Sequence, residues 1–197
     1  MNFLGHAYLS RNYPHLIAGN FAGDSYKGNL NKFDALPKHI LDGVRLHRFI
    51  DNFTDSSIHI KRAGRILQDK GITKIAFIAT DILVDYFLAT NWKQYSDQSY
   101  DDFLKFVYDN TDPYLDDIDD EFDFLYIRLK KYGWMNDYQT EQGMRKIFRQ
   151  FSKRIRFENE LQQCFEIYLN ESETFENHFK TFLIEIEAAS VEFIEAL

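Results

Sequence analysis

The stretch RLHRFIDNFTDSS, residues 45–57, places His47, Asp51 and Asp55 four residues apart. On a helix that spacing stacks three side chains along one stripe. Two readings are open. The stripe is a metal-binding face, or it is the wet face of an ordinary helix, with Asp51 and Asp55 paired to Arg48 and Lys61. In the second reading Asp55 also serves as an N-cap near a helix boundary. Most other segments carry the same 3.6-residue period, and strict alternation over five or more residues is rare. The chain therefore reads as all-α, a single helical domain over residues 1–197.

Composition supports this and excludes several classes. With 197 residues and 45% apolar content, the chain is long enough for a real core and too apolar for disorder. Aromatics reach 17%, and core packing is their default role. A net charge of −8 makes a nucleic acid a poor partner. The single cysteine, Cys164, excludes an internal disulfide and reads as a packed thiol rather than a nucleophile. The opening MNFLGHAYLS has no basic residue before its apolar part, unlike a secretory signal. The most apolar window, ITKIAFIATDILVDYFLA, is cut by Asp81 and Asp85 and is too short and charged to span a membrane. A soluble, cytoplasmic protein is expected.

Boundary signals divide the chain into helices. Pro14 opens one running to about Lys27, and GNLNKFDALP, 28–37, is a loop. Helices are expected at about 37–53 and 56–70, the latter stopped by Gly71, then at 73–92. Ser99 with Asp102 forms a capping pair for a helix to about Asn110. The acidic run DDIDDE, 116–121, precedes the apolar FDFLYIRL and suits a helix N-terminus. Further helices are expected at about 137–156, 157–169 and 172–195. In the last, Phe175, Phe179, Phe182, Ile186 and Phe193 mark one core or partner-facing stripe.

Two other stretches carry acids in apolar surroundings: Asp24 in AGNFAGDSYKG, and Asp81 with Asp85 in ATDILVDYFLATNW. Carboxylates in a mostly buried helix are costly without partners or a cation. Imidazole combined with hard carboxylate oxygen suits Mn²⁺, Mg²⁺ or Fe²⁺ better than a thiolate zinc site.

Four blocks, MNFLGHAYLS, GNFAGDSYKG, GVRLHRFIDNFTD and DILVDYFLATNW, resemble in order and spacing the acyl carrier protein phosphodiesterases, also called acyl carrier protein hydrolases. The resemblance is clear over about residues 1–95. It implies an all-helical bundle, similar in style to the HD-domain phosphohydrolases. It implies a Mn²⁺-dependent enzyme, or one using another divalent cation, that cleaves 4′-phosphopantetheine from the serine of holo-acyl carrier protein. Carried over by motif position, the ligands are expected among His6, Asp24, His47, Asp51, Asp55, Asp81 and Asp85. Asp85 or Asp51 would take a proton from water, and Arg48 would neutralise phosphoryl charge or pair with Asp51. The chain departs from the family where Tyr86 and Ser57 stand at positions usually held by His. Those departures favour a second reading, a non-catalytic module that binds the carrier. A third is a phosphohydrolase for another small phosphoester.

MRKIFRQFSKRIRF, 144–157, is uninterrupted by acid. On a helix Arg145, Arg149, Lys153 and Arg156 share one face, with Arg154 beside them, while Phe148, Phe151 and Ile155 share another. This is either a solvated face paired with the acidic 116–123 segment or a dock for an acidic carrier protein. Lys61, Arg62 and Arg65 form a smaller cluster that could extend it.

Overall fold

The computed structural model describes residues 1–118 and 120–197, with the side chains of all of these but 120 and 121. Among the described residues the chain forms eleven α-helices, four short 3₁₀ segments and no strand. In chain order they are α1 Phe3–Leu9, α2 Pro14–Phe21, α3 Lys38–Ser56, α4 Ile58–Asp69, α5 Ala76–Thr90 and α6 Tyr100–Asp109, then α7 Asp120–Lys131, α8 Trp134–Asp137, α9 Glu141–Arg154, α10 Leu161–Asn170 and α11 Ser172–Glu195.

Local chemistry sets most boundaries. Pro14 stands in the first turn of α2, where a missing N–H costs nothing. Ser57 separates α3 from α4, its hydroxyl accepting from the His59 N–H at 3.2 Å. Gly71, at φ +92°, lets the chain leave α4, with Ile72 N–H closing on the Leu67 carbonyl at 3.0 Å. Ser99 accepts from Asp102 N–H at 3.1 Å, the expected cap of α6. The dipole reading of the run at 116–121 rests on residue 119 and the side chains of 120 and 121, which lie outside what is described.

The central helix is α5, apolar on nearly every side and packed against α1, α4, α10 and α11. Helix α11 lays the stripe Phe175, Phe179, Phe182 and Ile186 into the core, and Cys164 is buried in α10. Burial pushes the Cys164 thiol up to about 12, so it is an inert packed group. Helix α2 lies along α3, with Gly19 and Gly43 set against the backbone of the facing helix. It stops at Phe21, short of the expected Lys27, because Gly23–Ser25 turn as a 3₁₀ segment onto α3. No helix among the described residues is long and apolar enough to cross a membrane.

Candidate metal centre

The turn after α2, the start of the chain and the middle of α3 meet at one point. His6 comes from α1 and His47 and Asp51 from α3. The imidazoles stack, with ring centres 4.0 Å apart and planes inclined by 16°. His6 Nε2 lies 3.2 Å from Asp51 Oδ1, and His47 Nε2 lies 3.1 Å from Asp51 Oδ2. One ligand atom from each of these three residues fits within 4.8 Å of the others. Asp24, on the 3₁₀ turn, brings Oδ1 to 3.6 Å from His47 Nε2, with a side chain 80% exposed.

Asn20 orients both rings. Its Nδ2 donates to the His6 carbonyl at 2.7 Å, which fixes the amide, so Oδ1 faces His6 Nδ1 at 3.1 Å. Its own carbonyl accepts from His47 Nδ1 at 2.7 Å. Both Nδ1 atoms are therefore N–H donors, and both Nε2 atoms are left facing the Asp51 carboxylate. A neutral imidazole so oriented points a lone pair at a carboxylate, which is repulsive unless a proton or a cation lies between them. Ring orientation by a partner on the far nitrogen is the arrangement metal-binding histidines use. Asn20 was absent from the expected site. The available signal was an amide embedded in the apolar run LIAGNFAG.

The electrostatics agree with this picture. Burial lowers the proton affinity of His47, but hydrogen bonds to Asp24 and Asp51 outweigh it and raise the pKa to about 9. Burial and the neighbouring His47 charge push His6 down to about 4. Burial raises Asp51, yet its hydrogen bonds to both imidazoles hold it far below the usual carboxylate range. Hydrogen bonding to His47 likewise lowers Asp24. Beyond the two Nδ1–H protons, the pair of rings retains one further proton, on His47.

Other expected site residues stand elsewhere. Asp85 is fully buried, and its oxygens accept the N–H groups of Asn2 at 3.3 Å, Leu4 at 2.8 Å and Gly5 at 3.2 Å. It caps the start of α1, and those bonds take three of the carboxylate's roughly four acceptor positions. Burial lifts it to about 7 against the pull of the Met1 ammonium and those N–H groups. Asp81 accepts from the Met1 amino group at 3.2 Å. Asp55 is exposed one turn beyond Asp51, outside the three-residue cluster. It is not the cap of α4, and Lys61 donates instead to the Ser56 carbonyl at 2.9 Å. Arg48 donates to the Tyr26 carbonyl and forms no ion pair with Asp51. It lines a cleft of about 200 Å³ with Asp24, Lys27, His47 and Asp51.

The two departures from the family pattern do not touch this cluster. Tyr86 packs nearly perpendicular to the rings of Phe165 and Tyr168, with ring centres 5.2 and 5.6 Å away, in the α5–α10 core. Ser57 is buried and engaged as the cap of α4.

The basic face of α9 is divided. Arg145 pairs with Glu141 at 3.7 Å and with Glu166 of α10, and Lys146 pairs with Asp137 at 2.6 Å. These acids neutralise the first half of the helix; the expected pairing with the 116–123 segment involves side chains at 119–121, outside the described residues. Arg149, Lys153, Arg154 and Arg156 are exposed, and α9 ends at Arg154, so Arg156 lies beyond it.

The family model of the acyl carrier protein phosphodiesterases matches residues 1–186. Similar proteins include an acyl carrier protein phosphodiesterase of Klebsiella pneumoniae strain 342. It is 29% identical over 155 residues, which are 78% of this chain and 79% of the relative. Another, from Pectobacterium atrosepticum, is 30% identical over 139 residues, 70% of each chain. One from Escherichia coli strain HS is 27% identical over 139 residues, 70% of this chain and 68% of the relative. No solved structure matches the chain. With residues 1–186 matched by the family model, this chain belongs to the acyl carrier protein phosphodiesterase family.

Proposed function

We propose that the chain hydrolyses the phosphodiester joining 4′-phosphopantetheine to the serine of holo-acyl carrier protein, with a divalent cation, Mn²⁺ by preference, held by His6, His47 and Asp51. The observation that carries the metal is the pair of Nε2 atoms facing one carboxylate while both Nδ1–H groups are tied to Asn20. Imidazole nitrogen with carboxylate oxygen and no thiolate fits Mn²⁺, Fe²⁺ or Mg²⁺. Such a cation supplies Lewis-acid polarisation of a phosphoryl oxygen and lowers the pKa of water.

The chain's own groups do the rest. Asp51 and the two imidazoles form the binding set, and Asn20 keeps their lone pairs directed. Asp24, exposed and next to His47, is placed to accept a proton from an attacking water. Lys27 and Arg48 line the cleft beside it and attract the anionic diester. Asp85, engaged as the cap of α1, has no role in this scheme.

The direct test incubates the protein with holo-acyl carrier protein, with and without Mn²⁺, and follows the carrier's mass. Loss of phosphopantetheine only with metal is the expected result. An unchanged mass under both conditions would refute the activity.

Metal binding must also compete with the proton on His47. In the unfolded chain that imidazole titrates near 6.5, and in the folded, metal-free chain near 9. The folded state therefore holds an extra proton between these values. Its stabilisation is full below pH 6.5 and is lost as pH rises through 9, on the order of 3 kcal/mol in all. Urea unfolding of the metal-free protein at pH 6.5 and pH 9 should show that loss. Apparent Mn²⁺ affinity, by calorimetry, should rise about tenfold per pH unit over the same range, since one proton leaves as metal enters. A flat affinity profile would mean that His47 is not a ligand.

A further inference from the structure

The unabsorbed half of the basic stretch borders a cleft of about 320 Å³ between α7 and the end of α9. Arg128, Lys153 and Arg154 line it together with Trp134, and no acidic residue does. Among the described residues none of these three cations has an ion pair, in contrast to Arg145 and Lys146. The Arg154 guanidinium lies over the Trp134 ring, 4.7 Å from its centre. Burial and the nearby Arg128 charge make Arg154 easier to deprotonate than usual, so two guanidinium groups are held together at an electrostatic cost. Trp134 is 8% exposed, and its buried Nε1–H has no hydrogen-bond partner among the described residues. Unbalanced cations gathered in a cleft with no acid in its lining describe a site for an incoming group of negative charge.

An apolar ridge adjoins it. On α7, Phe124 is 65% exposed and Ile127 is 56% exposed, with Arg128 over the Phe124 ring at 4.7 Å. The opposite face of the same helix is buried. Phe122 and Tyr126 set their rings against Phe21, at 5.9 and 6.0 Å. Phe21 in turn lines a small pocket with His6, Asp24 and His47. The helix that forms the ridge is thus one contact removed from the metal centre.

We infer that Arg128, Lys153, Arg154 and Trp134, with Phe124 and Ile127 beside them, form the surface on which the acidic carrier protein docks. This rests on the reading that the carrier is the substrate. Carboxylates of the carrier enter the cationic cleft, and its apolar side chains cover the α7 ridge. The charge complementarity is local, because an enzyme of net charge −8 otherwise repels an acidic partner. The dock is therefore not the whole length of α9: Arg145 and Lys146 are already neutralised within the chain.

The test is the double reversal Arg128→Glu with Arg154→Glu in the full-length protein. Calorimetric affinity for holo-acyl carrier protein should fall at least about tenfold, and KM for the carrier should rise similarly. Hydrolysis of bis(p-nitrophenyl) phosphate, a small diester needing no dock, should stay unchanged. The milder pair Arg128→Gln with Arg154→Gln should shift affinity in the same direction by less, and serves if the reversal does not fold. Unchanged carrier affinity in folded variants overturns the proposal. So does absence of carrier binding to the parent chain, or a homodimer in sedimentation that the reversal dissolves. Carrier binding that the reversal weakens, with no hydrolysis by the parent chain, would uphold the dock and refute the activity alone.

Discussion

Asp51→Asn should lower turnover of holo-acyl carrier protein by a factor of about 10³ or more and remove tight Mn²⁺ binding. Asp51 is the one residue whose two oxygens reach both imidazoles, at 3.2 and 3.1 Å. An amide presents at most one oxygen and places an NH₂ group where the second anionic oxygen was. Either His6 or His47 then loses its carboxylate partner. The substitution also removes one of the two carboxylates that keep His47 protonated in the absence of metal, so the His47 pKa falls below about 9 while Asp24 still holds part of the shift. NMR titration of the His47 ring in the metal-free variant separates these effects. A lowered imidazole pKa together with lost metal affinity supports the centre. Full metal affinity with Asp51→Asn would exclude Asp51 as a ligand. The parallel change Asp85→Asn acts on a different quantity. It weakens the cap on α1 and so reduces stability, because its oxygens bind N–H groups of residues 2, 4 and 5.

The contrast between Asp51 and Asp85 shows where sequence reading stops. Both are acids at i, i+4 spacing from another polar residue in a helical pattern, and both lie in family-like blocks. Periodicity locates the helix and even the stripe. It does not say what lies across from the stripe. Opposite Asp85 is the start of α1, whose free N–H groups claim it. Opposite Asp51 is the His6 ring of α1, which joins His47 of the stripe itself on the same carboxylate. The stop of α2 at Phe21, earlier than expected, has the same origin, because the following turn is set by its contact with α3. The signals that work from sequence alone are local ones: Pro14, Gly71 and the Ser99–Asp102 cap each act within one turn of the backbone. The pairing of Arg145 with Glu166 on α10 joins residues 21 positions apart, beyond any helical spacing.

Gly43→Ala should destabilise the fold by at least about 3 kcal/mol, far more than an alanine in a helix ordinarily does. By intrinsic propensity alone the change would favour α3 by roughly 1 kcal/mol. The expected sign is the opposite, because α2 and α3 touch backbone to backbone. A Cβ at Gly43 would lie 2.5 Å from the Leu16 carbonyl oxygen and 2.6 Å from the Asn20 nitrogen. Reciprocally, a Cβ at Gly19 would lie 2.1 Å from the Ile40 oxygen. These are backbone atoms inside a helix, so no rotamer change relieves the overlap, and the two helices must part. Asn20 is among the atoms displaced, and with it the hydrogen bonds that orient His6 and His47. Metal affinity should therefore fall in whatever fraction remains folded. Gly28→Ala is the control: its φ of +85° strains an alanine, but no atom lies within 4 Å of the added Cβ. That change should cost about 1 kcal/mol and leave metal affinity intact. Urea unfolding of both variants, each followed by Mn²⁺ titration, measures the difference. Equal losses at the two positions would mean that the α2–α3 contact does not govern the placement of the histidines.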